Sequence, residues 1–397
     1  LAFLLALPAV DADYFPPPDR EGGWRTLSGP AAIRRETGLD ARKLDEAFQF
    51  VQTTTKHGGL LVARRGWLVH ERYFGRGHRD ATPNTASCGK SFTSIAVGTL
   101  LAERADLFRH GLDEKVFTPV FLPAEAFPLS DPAKAEIKLG QLLAMSAGIR
   151  GNNPGYVRGK EARLDPAGPD GWLACTDAMA LGKAGGPLNT LTLWTRPGGG
   201  YSYATSSVHL ASLVLRHVAG MELQQYVEER LARPMGWGRW GWGYRRPEVT
   251  HTPGGGGIAV RATDMLRFAH LLLRRGQWAG KQLVPAAYVR RCARRSPYNP
   301  HYPYSLQFNV NEDGHLAGVP RDAFWKGGSG GHCFAVIPSL DLVIWKLGGR
   351  DEQYDAKNTG LPETGPPYDG SREGFKPAVD AEAAVHRTLQ MVVAAAR

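Results

Sequence analysis

The spacing of apolar residues predicts strands near both ends of the chain and helices between them. Apolar residues recur every three or four positions over 40–56, which predicts an amphipathic helix. Two short strand-like runs, 59–64 and 67–74, lie on either side of Arg65-Gly66 and predict a hairpin about a tight turn.

The middle of the chain differs, because Pro and Gly become frequent between helical patterns. Amphipathic spacing predicts helices over 138–145, 206–218, 222–232, 261–275 and 285–295. The stretch 149–200 shows few convincing elements, and a loop of that length in a compact domain is typical of a pocket wall. Strand patterns return at 304–310, 323–326, 332–337 and 340–347, before a final predicted helix over 378–395.

Strands at both ends with helices between them favour one mixed α/β domain that is built from both termini and interrupted by an insert. We expect the mixed domain to comprise 40–106 and 302–397, and a mostly helical insert domain to comprise 107–301. A chain of 397 residues, 43% of them hydrophobic, is large enough to bury such a core.

The net charge of +10 raises the question of an anionic partner. No nucleic-acid-binding motif accompanies the basic residues, so no nucleic-acid partner is expected. The densest basic run is predicted to be the solvated face of a helix, and it comprises Arg290, Arg291, Arg294 and Arg295.

The first residues suggest export. Leu1 to Val10 is apolar, and the small residues after it resemble a cleavage site, so 1–12 is predicted to be the remnant of a signal peptide and the protein to be periplasmic or secreted. The alternative is an accidental apolar end. Ten apolar residues are too few to span a bilayer, and no other stretch is long enough, so no membrane span is expected.

No metal or other cofactor is predicted from the motifs. The twelve histidines form no HExxH pattern, and no phosphate-binding glycine motif follows a predicted strand. Export would permit disulfides, but the spacing contains no CxxC pair and leaves the pairing open for Cys88, Cys175, Cys292 and Cys333.

One short motif carries candidate chemistry. Ser87-Cys88-Gly89-Lys90 is a Ser-x-x-Lys sequence at the start of a predicted helix. Residues three apart share a helix face, so the lysine amine can reach the serine hydroxyl. A serine hydroxyl becomes a good nucleophile when a neighbouring base takes its proton, and a lysine with a depressed pKa can be that base. The motif alone is weak, because a chain of this composition often contains one by chance.

Five further segments follow that motif in a particular order. Together the six resemble the landmarks of serine β-lactamases of the class C type and their relatives, which include D-alanyl-D-alanine peptidases, β-lactamase-like esterases and nylon-oligomer amidases. The segments are SCGKSFTS at 87–94, LLAMSAG at 142–148, PG with YSYAT over 197–205, 219–236, 255–278, and Lys326-Gly327-Gly328. Six landmarks in order are far more specific than one.

The resemblance implies a fold and three catalytic residues. The fold would be an antiparallel sheet flanked by helices, with a mostly helical domain inserted. Ser87 would be the acylated nucleophile, Lys90 its proton partner, and Tyr203 a general acid/base. Tyr201 is a rival for Tyr203, which we prefer because it keeps the spacing from Pro197-Gly198.

The resemblance also implies substrate-binding residues. Lys326 would face the pocket beside Gly327 and Gly328, and the backbone N–H groups of Ser87 and Ser329 would form an oxyanion hole. Two positions depart from the family pattern. Thr205 stands where an Asn touches the substrate amide, and Gly327 stands where a Thr binds the substrate carboxylate.

These departures favour an ester over an amide as substrate. The predicted function is therefore a serine hydrolase that cleaves a small ester or amide through an acyl-enzyme on Ser87. The alternatives are a D-alanyl-D-alanine carboxypeptidase or weak β-lactamase acting on a peptide or lactam, and a non-catalytic penicillin-binding-like protein. The oligomeric state cannot be inferred.

A competing motif is present at 327–331, where Gly-Gly-Ser-Gly-Gly matches the nucleophile elbow of α/β-hydrolases. An elbow needs a helix after the serine, whereas 332–347 predicts two strands. We also expect Cys88 and Cys333 to lie near the site, either as a disulfide or as two small buried thiols.

Overall fold

The computed structural model describes residues 14–129, 131–152, 154–164, 193–243, 251–365 and 367–396. Its α-helices in chain order are α1 Pro30–Thr37, α2 Ala41–Gln52, α3 Gly89–Glu103, α4 Leu139–Leu143, α5 Thr205–Ala219, α6 Leu223–Val227, α7 Ala262–Leu273, α8 Ala286–Cys292, α9 Asp351–Tyr354, α10 Ala356–Thr359 and α11 Ala381–Ala394. The strands are β1 Gly58–Arg64, β2 Trp67–Phe74, β3 Gly155–Val157, β4 Lys160–Ala162, β5 Trp240–Trp242, β6 Ile258–Val260, β7 Gln277–Trp278, β8 Lys281–Gln282, β9 Asn309–Val310, β10 Phe324–Gly328, β11 His332–Ile337 and β12 Leu342–Leu347.

The predicted hairpin is present as β1 and β2. Arg65 and Gly66 both have positive φ, 52° and 77°, which is the backbone of a two-residue turn that matches the twist of antiparallel strands. Asp40 caps α2 just before the hairpin, and its carboxylate accepts the backbone N–H of Arg42 at 2.9 Å.

Both chain ends contribute to one six-stranded sheet. Its strand order is β2-β1-β12-β11-β10-β9, and every neighbouring pair is antiparallel. The predicted antiparallel sheet between helices is therefore confirmed. The other strands form three two-stranded ribbons, β3-β4, β5-β6 and β7-β8.

The sheet separates two hydrophobic clusters. Along β11, Phe334 and Val336 pack into the cluster that contains α3 and α7, whereas Cys333 and Ala335 pack into the cluster that contains α2 and α11. Lys326 on β10 pairs directly with Phe334. Since paired residues project to the same face, Lys326 is directed toward α3 and the Ser-x-x-Lys motif.

Two predicted elements differ from the structure. The strand expected over 304–310 is wrong, because only Asn309–Val310 pairs in the sheet. Before it, the amide of Ser305 donates to the carbonyl of Phe308 at 2.8 Å and Gln307 has φ of 70°, so the chain turns there. The helix expected over 222–232 is α6 followed by a π-helical turn, Glu228–Ala232.

Several predictions fall on other parts of the chain. Residues 1–12, Cys175 and most of the expected pocket loop lie outside the described residues. Export and the domain boundaries at 106/107 and 301/302 stay predictions. Among the helices that the structure describes, none is long and apolar enough to cross a membrane.

Candidate active site

Ser87 lies in a 3-10 turn, Ala86–Cys88, that leads directly into α3. Ala86 has φ of 50°, a left-handed conformation that costs roughly 1 kcal/mol or more for a residue with a Cβ. Two hydrogen bonds hold it there. Its N–H donates to Asn84 Oδ1 at 2.9 Å, and its carbonyl accepts the N–H of Gly257 at 3.0 Å. The turn therefore presents Ser87 in one fixed position.

Lys90 lies beneath that serine on the first turn of α3. Its Nζ is 3.0 Å from Ser87 Oγ, and it also donates to the carbonyl oxygen of Gly255. The side chain is 2% exposed, and burial lowers the pKa of its amine from 10.5 to about 7. A substantial share of Lys90 is thus a neutral amine at neutral pH, which is the form that can accept a proton.

A glycine loop at 254–257 makes this arrangement possible. The N–H of Gly255 donates to His209 Nδ1 at 3.3 Å, which helps to hold the residue whose carbonyl contacts Lys90. A Cβ on Gly255 would lie 2.4 Å from Thr205 Cγ2, and a Cβ on Gly89 would lie 3.0 Å from the Cα of Gly256. Close approach of the two backbones therefore explains a glycine in the first turn of α3.

Tyr203 reaches the same serine from the segment before α5. Its hydroxyl contacts the Ser87 hydroxyl, while burial raises the pKa of the phenol well above its usual range. Tyr201 instead stacks on Tyr302, with ring centroids 4.6 Å apart. The geometry thus favours Tyr203 over Tyr201 as the tyrosine of the site.

Lys326 completes the cluster from the sheet. It is 1% exposed, and its Nζ donates to Tyr203 Oη at 3.2 Å and to the hydroxyl of Tyr304. Burial and the nearby charge of Lys90 lower the pKa of Lys326 well below its ordinary value. The four residues Ser87, Lys90, Tyr203 and Lys326 therefore share one site.

The end of β10 lies directly against the nucleophile turn. A Cβ on Gly328 would lie 2.2 Å from the carbonyl oxygen of Thr85, and Cys88 Sγ is 3.5 Å from the carbonyl oxygen of Lys326. Ser329 follows at an exposed turn into β11. Because Gly328 contacts Thr85, the backbone of Ser329 lies close to the turn that carries Ser87.

Gln353, on α9, clamps these two segments together. Its Nε2 donates to the carbonyl of Asn84 at 2.8 Å and to the carbonyl of Ser329 at 3.0 Å. An amide nitrogen has two hydrogens, so both carbonyls are satisfied and their peptide groups are held in place.

Three sequence-based expectations are settled by these contacts. Cys88 and Cys333 are free and buried, so the disulfide considered between them is absent. The elbow at Ser329 is excluded, as expected, because the residues after it form β11 rather than a helix. The arginines at 290, 291, 294 and 295 are exposed, as expected of a solvated face.

Four residues of the site have no clear signal in the sequence. Gly255 lies in a run of four glycines, and the sequence does not show which of them contacts Lys90. Tyr304 lies in a segment for which the sequence predicts a strand. His209 and Gln353 act through hydrogen bonds to backbone groups, one from His209 and two from Gln353. Within the described ranges, no group of three His, Cys, Asp or Glu side chains is placed to hold a metal ion.

An antiparallel sheet between helices, with a serine–lysine pair at the start of the helix that packs on it, defines the class of this protein. Residues 47–359 match the model of the beta-lactamase family, and the chain belongs to that family. Its members are hydrolases, esterases among them. No curated protein matches the sequence.

Solved structures share the fold at low identity. EstCE1, a hydrolase with promiscuous acyltransferase activity, is 18% identical with a TM-score of 0.63, covering 88% of this chain and 98% of its own. A family VIII carboxylesterase is 18% identical with a TM-score of 0.58, covering 89% and 97%. A penicillin-binding protein homologue from Caulobacter crescentus is 15% identical with a TM-score of 0.60, covering 90% and 99%.

Proposed function

We propose that this protein is a serine hydrolase that cleaves small carboxylic esters through an acyl-enzyme on Ser87. One observation carries the proposal: the buried amine of Lys90 lies 3.0 Å from the Ser87 hydroxyl and has a pKa of about 7. A base of that pKa is matched to proton transfer at neutral pH.

Acylation begins with the neutral amine of Lys90. As Ser87 Oγ attacks the ester carbonyl carbon, the hydroxyl proton passes to Lys90 Nζ. Negative charge then develops on the carbonyl oxygen, where the N–H groups of Ser87 and Ser329 are proposed to donate. When the tetrahedral intermediate collapses, the ester C–O bond breaks, and the leaving alkoxide takes a proton from Tyr203, which is resupplied by Lys90.

Deacylation reverses these roles. A water molecule gives its proton to the same Tyr203–Lys90 pair and attacks the acyl carbon, and Ser87 leaves with a proton. The raised pKa of Tyr203 keeps the phenol protonated, so it relays a proton rather than storing charge. Lys326, 3.2 Å from Tyr203 Oη, stabilises that oxygen whenever it becomes negative.

Ester specificity is proposed from two positions. Thr205 turns its methyl group toward Gly255, and it offers no amide group for a peptide-like substrate. Gly327 has no hydroxyl with which to bind a substrate carboxylate. The carboxylesterase among the structural neighbours supports the same choice of substrate class.

The test is covalent labelling with a fluorophosphonate probe, together with hydrolysis of a p-nitrophenyl ester, a cephalosporin and a D-Ala-D-Ala peptide. We expect the label on Ser87 and the highest rate on the ester. Ser87→Ala should lose both by several orders of magnitude while its circular dichroism is unchanged. Ser329→Ala is the matched control and should stay active, because only the backbone N–H of Ser329 is used.

Labelling that persists in Ser87→Ala would contradict the proposal. Binding without covalent labelling would instead identify a non-catalytic ligand-binding protein. Preferential cleavage of the cephalosporin or the peptide would assign the β-lactamase or carboxypeptidase alternative.

A further inference from the structure

Gln307 has an unusual backbone for its residue type. Its φ of 70° lies in the left-handed region, which residues with a Cβ rarely adopt. Its side chain is wholly buried. Its carbonyl accepts the hydroxyl of Ser91 at 2.8 Å, which ties it to the helix that carries Lys90. Surrounding contacts must therefore hold this conformation, as is common where strain serves a site.

The side-chain amide of Gln307 has only one workable orientation. One end faces the carbonyl oxygen of Leu143 at 2.7 Å, and a carbonyl can only accept, so that end is the NH₂ group. The opposite end is the amide oxygen, which lies 2.9 Å from Tyr304 Oη and can only accept.

The hydroxyl proton of Tyr304 is therefore committed. A phenol has one proton, and it points to the Gln307 oxygen, so Tyr304 can only accept from Lys326. The amine of Lys326 must then direct an N–H toward Tyr304. Another N–H of the same amine is directed at Tyr203 Oη, 3.2 Å away.

The surroundings of Lys326 offer little other support for a positive charge. The groups that act on it are the hydroxyls of Tyr203 and Tyr304, the amine of Lys90 and the thiols of Cys88 and Cys333. Within the described residues no carboxylate contacts it. Burial and Lys90 favour the neutral amine, so the fixed acceptor at Tyr304 is a main stabiliser of the ammonium.

We propose that Tyr304, held by Gln307, is a positioning residue that stabilises Lys326 as an ammonium ion and aims it at Tyr203. The inference rests on the proposed function, since it assigns Lys326 the task of stabilising the Tyr203 oxygen during proton transfer. Ester hydrolysis then fails at alkaline pH, when Lys326 loses its proton.

The pH profile of kcat/KM tests this assignment. Tyr304→Phe removes the acceptor, which lowers the pKa of Lys326 and moves the alkaline limb to lower pH by about one unit, a tenfold loss of ammonium stabilisation. Gln307→Glu keeps an acceptor for the Tyr304 hydroxyl, and its buried carboxyl stays protonated because it must donate to the carbonyl oxygen of Leu143, so this variant should leave the limb in place.

Tyr302→Phe is the matched control. Tyr302 lies in the same tyrosine cluster and stacks on Tyr201, away from Lys326, so its hydroxyl should be dispensable and the limb should not move. A shift to lower pH in Tyr304→Phe, with none in Gln307→Glu or in the control, supports the inference. A purely structural role would lower kcat/KM at every pH and leave the limb in place.

An unmoved limb in Tyr304→Phe, an equal shift in Tyr302→Phe, or a wild-type profile without an alkaline limb would overturn the inference. Fluorophosphonate labelling of Ser87 in each variant separates this outcome from a failure of the proposed function. If Ser87 is labelled and the limb does not move, only the role of Tyr304 is lost. If wild-type Ser87 is never labelled, the hydrolase assignment itself fails.

Discussion

A Cβ atom on Gly328 would lie 2.2 Å from the carbonyl oxygen of Thr85, a separation that real Cβ atoms essentially never show. Thr85 precedes the nucleophile turn, and Gly328 precedes the proposed oxyanion donor Ser329. The two glycines at the end of β10 are not equivalent, because a Cβ on Gly327 would meet only the carbonyl oxygen of His332 at 3.7 Å, an ordinary contact.

This difference predicts opposite outcomes for neighbouring substitutions. Gly328→Ala should push β10 away from the nucleophile turn and lower kcat by about 100-fold, the effect of losing one oxyanion donor. Gly327→Ala should retain activity within a few-fold. Ester hydrolysis and the melting temperature of both variants check this. Equal activity in the two variants would contradict the contact between Gly328 and Thr85.

Local sequence patterns predicted the elements that carry the nucleophile. Ser87 and Lys90 are three residues apart on a helix, so their proximity follows from helix geometry alone. The strand predicted over 332–337 likewise has the observed boundaries, His332–Ile337. Both cases depend on interactions within a few residues along the chain.

The rest of the site depends on contacts between distant segments. Gln353 joins the carbonyls of Asn84 and Ser329, and such hydrogen bonds leave no periodic trace in a sequence. The sequence predicts a strand at Tyr304, where aromatic residues favour one, but the left-handed Gln307 turns the chain there. Tertiary hydrogen bonds overrode local propensity at this point.

The buried thiols should be unreactive in the folded protein. Cys88, Cys292 and Cys333 are free, and burial raises the pKa of Cys88 to about 12. Iodoacetamide at pH 8 should leave all three unmodified in the native state and alkylate all three in urea. Mass spectrometry of the non-reduced protein measures this. A peptide cross-linked between Cys88 and Cys333 would contradict the structure.

The pKa of Lys90 predicts an acid limb in the pH profile of kcat/KM. The proposed mechanism needs the neutral amine, so activity should rise as pH increases through about 7 and should fall below it. His209 does not explain such a limb, because burial lowers its pKa to about 3. Lys90→Arg should be inactive at every pH, since a guanidinium keeps its proton. A limb near pH 4 would exclude Lys90 as the base.

Burial of Lys90 should also make the folded protein less stable at neutral and acidic pH. An unfolded lysine has a pKa of 10.5, whereas the folded one has a pKa of about 7, so folding disfavours the proton. The loss of unfolding free energy caused by burying Lys90 is greatest below about pH 7, and it shrinks as the pH rises toward 10.5.

Lys90→Met removes this penalty but also leaves the carbonyl of Gly255 without its donor. The second effect does not depend on pH, so the informative quantity is how the stability difference between variant and wild type changes with pH. We expect the variant to gain unfolding free energy relative to wild type at pH 6, and the gain to shrink by pH 9.5, as measured by urea unfolding. Lys115→Met, at a half-exposed lysine paired with Glu136, is the control and should show no such trend. A stability difference that stays constant from pH 6 to pH 9.5 would mean that folding does not lower the pKa of Lys90, and the proton-accepting role proposed for it would lose its physical basis.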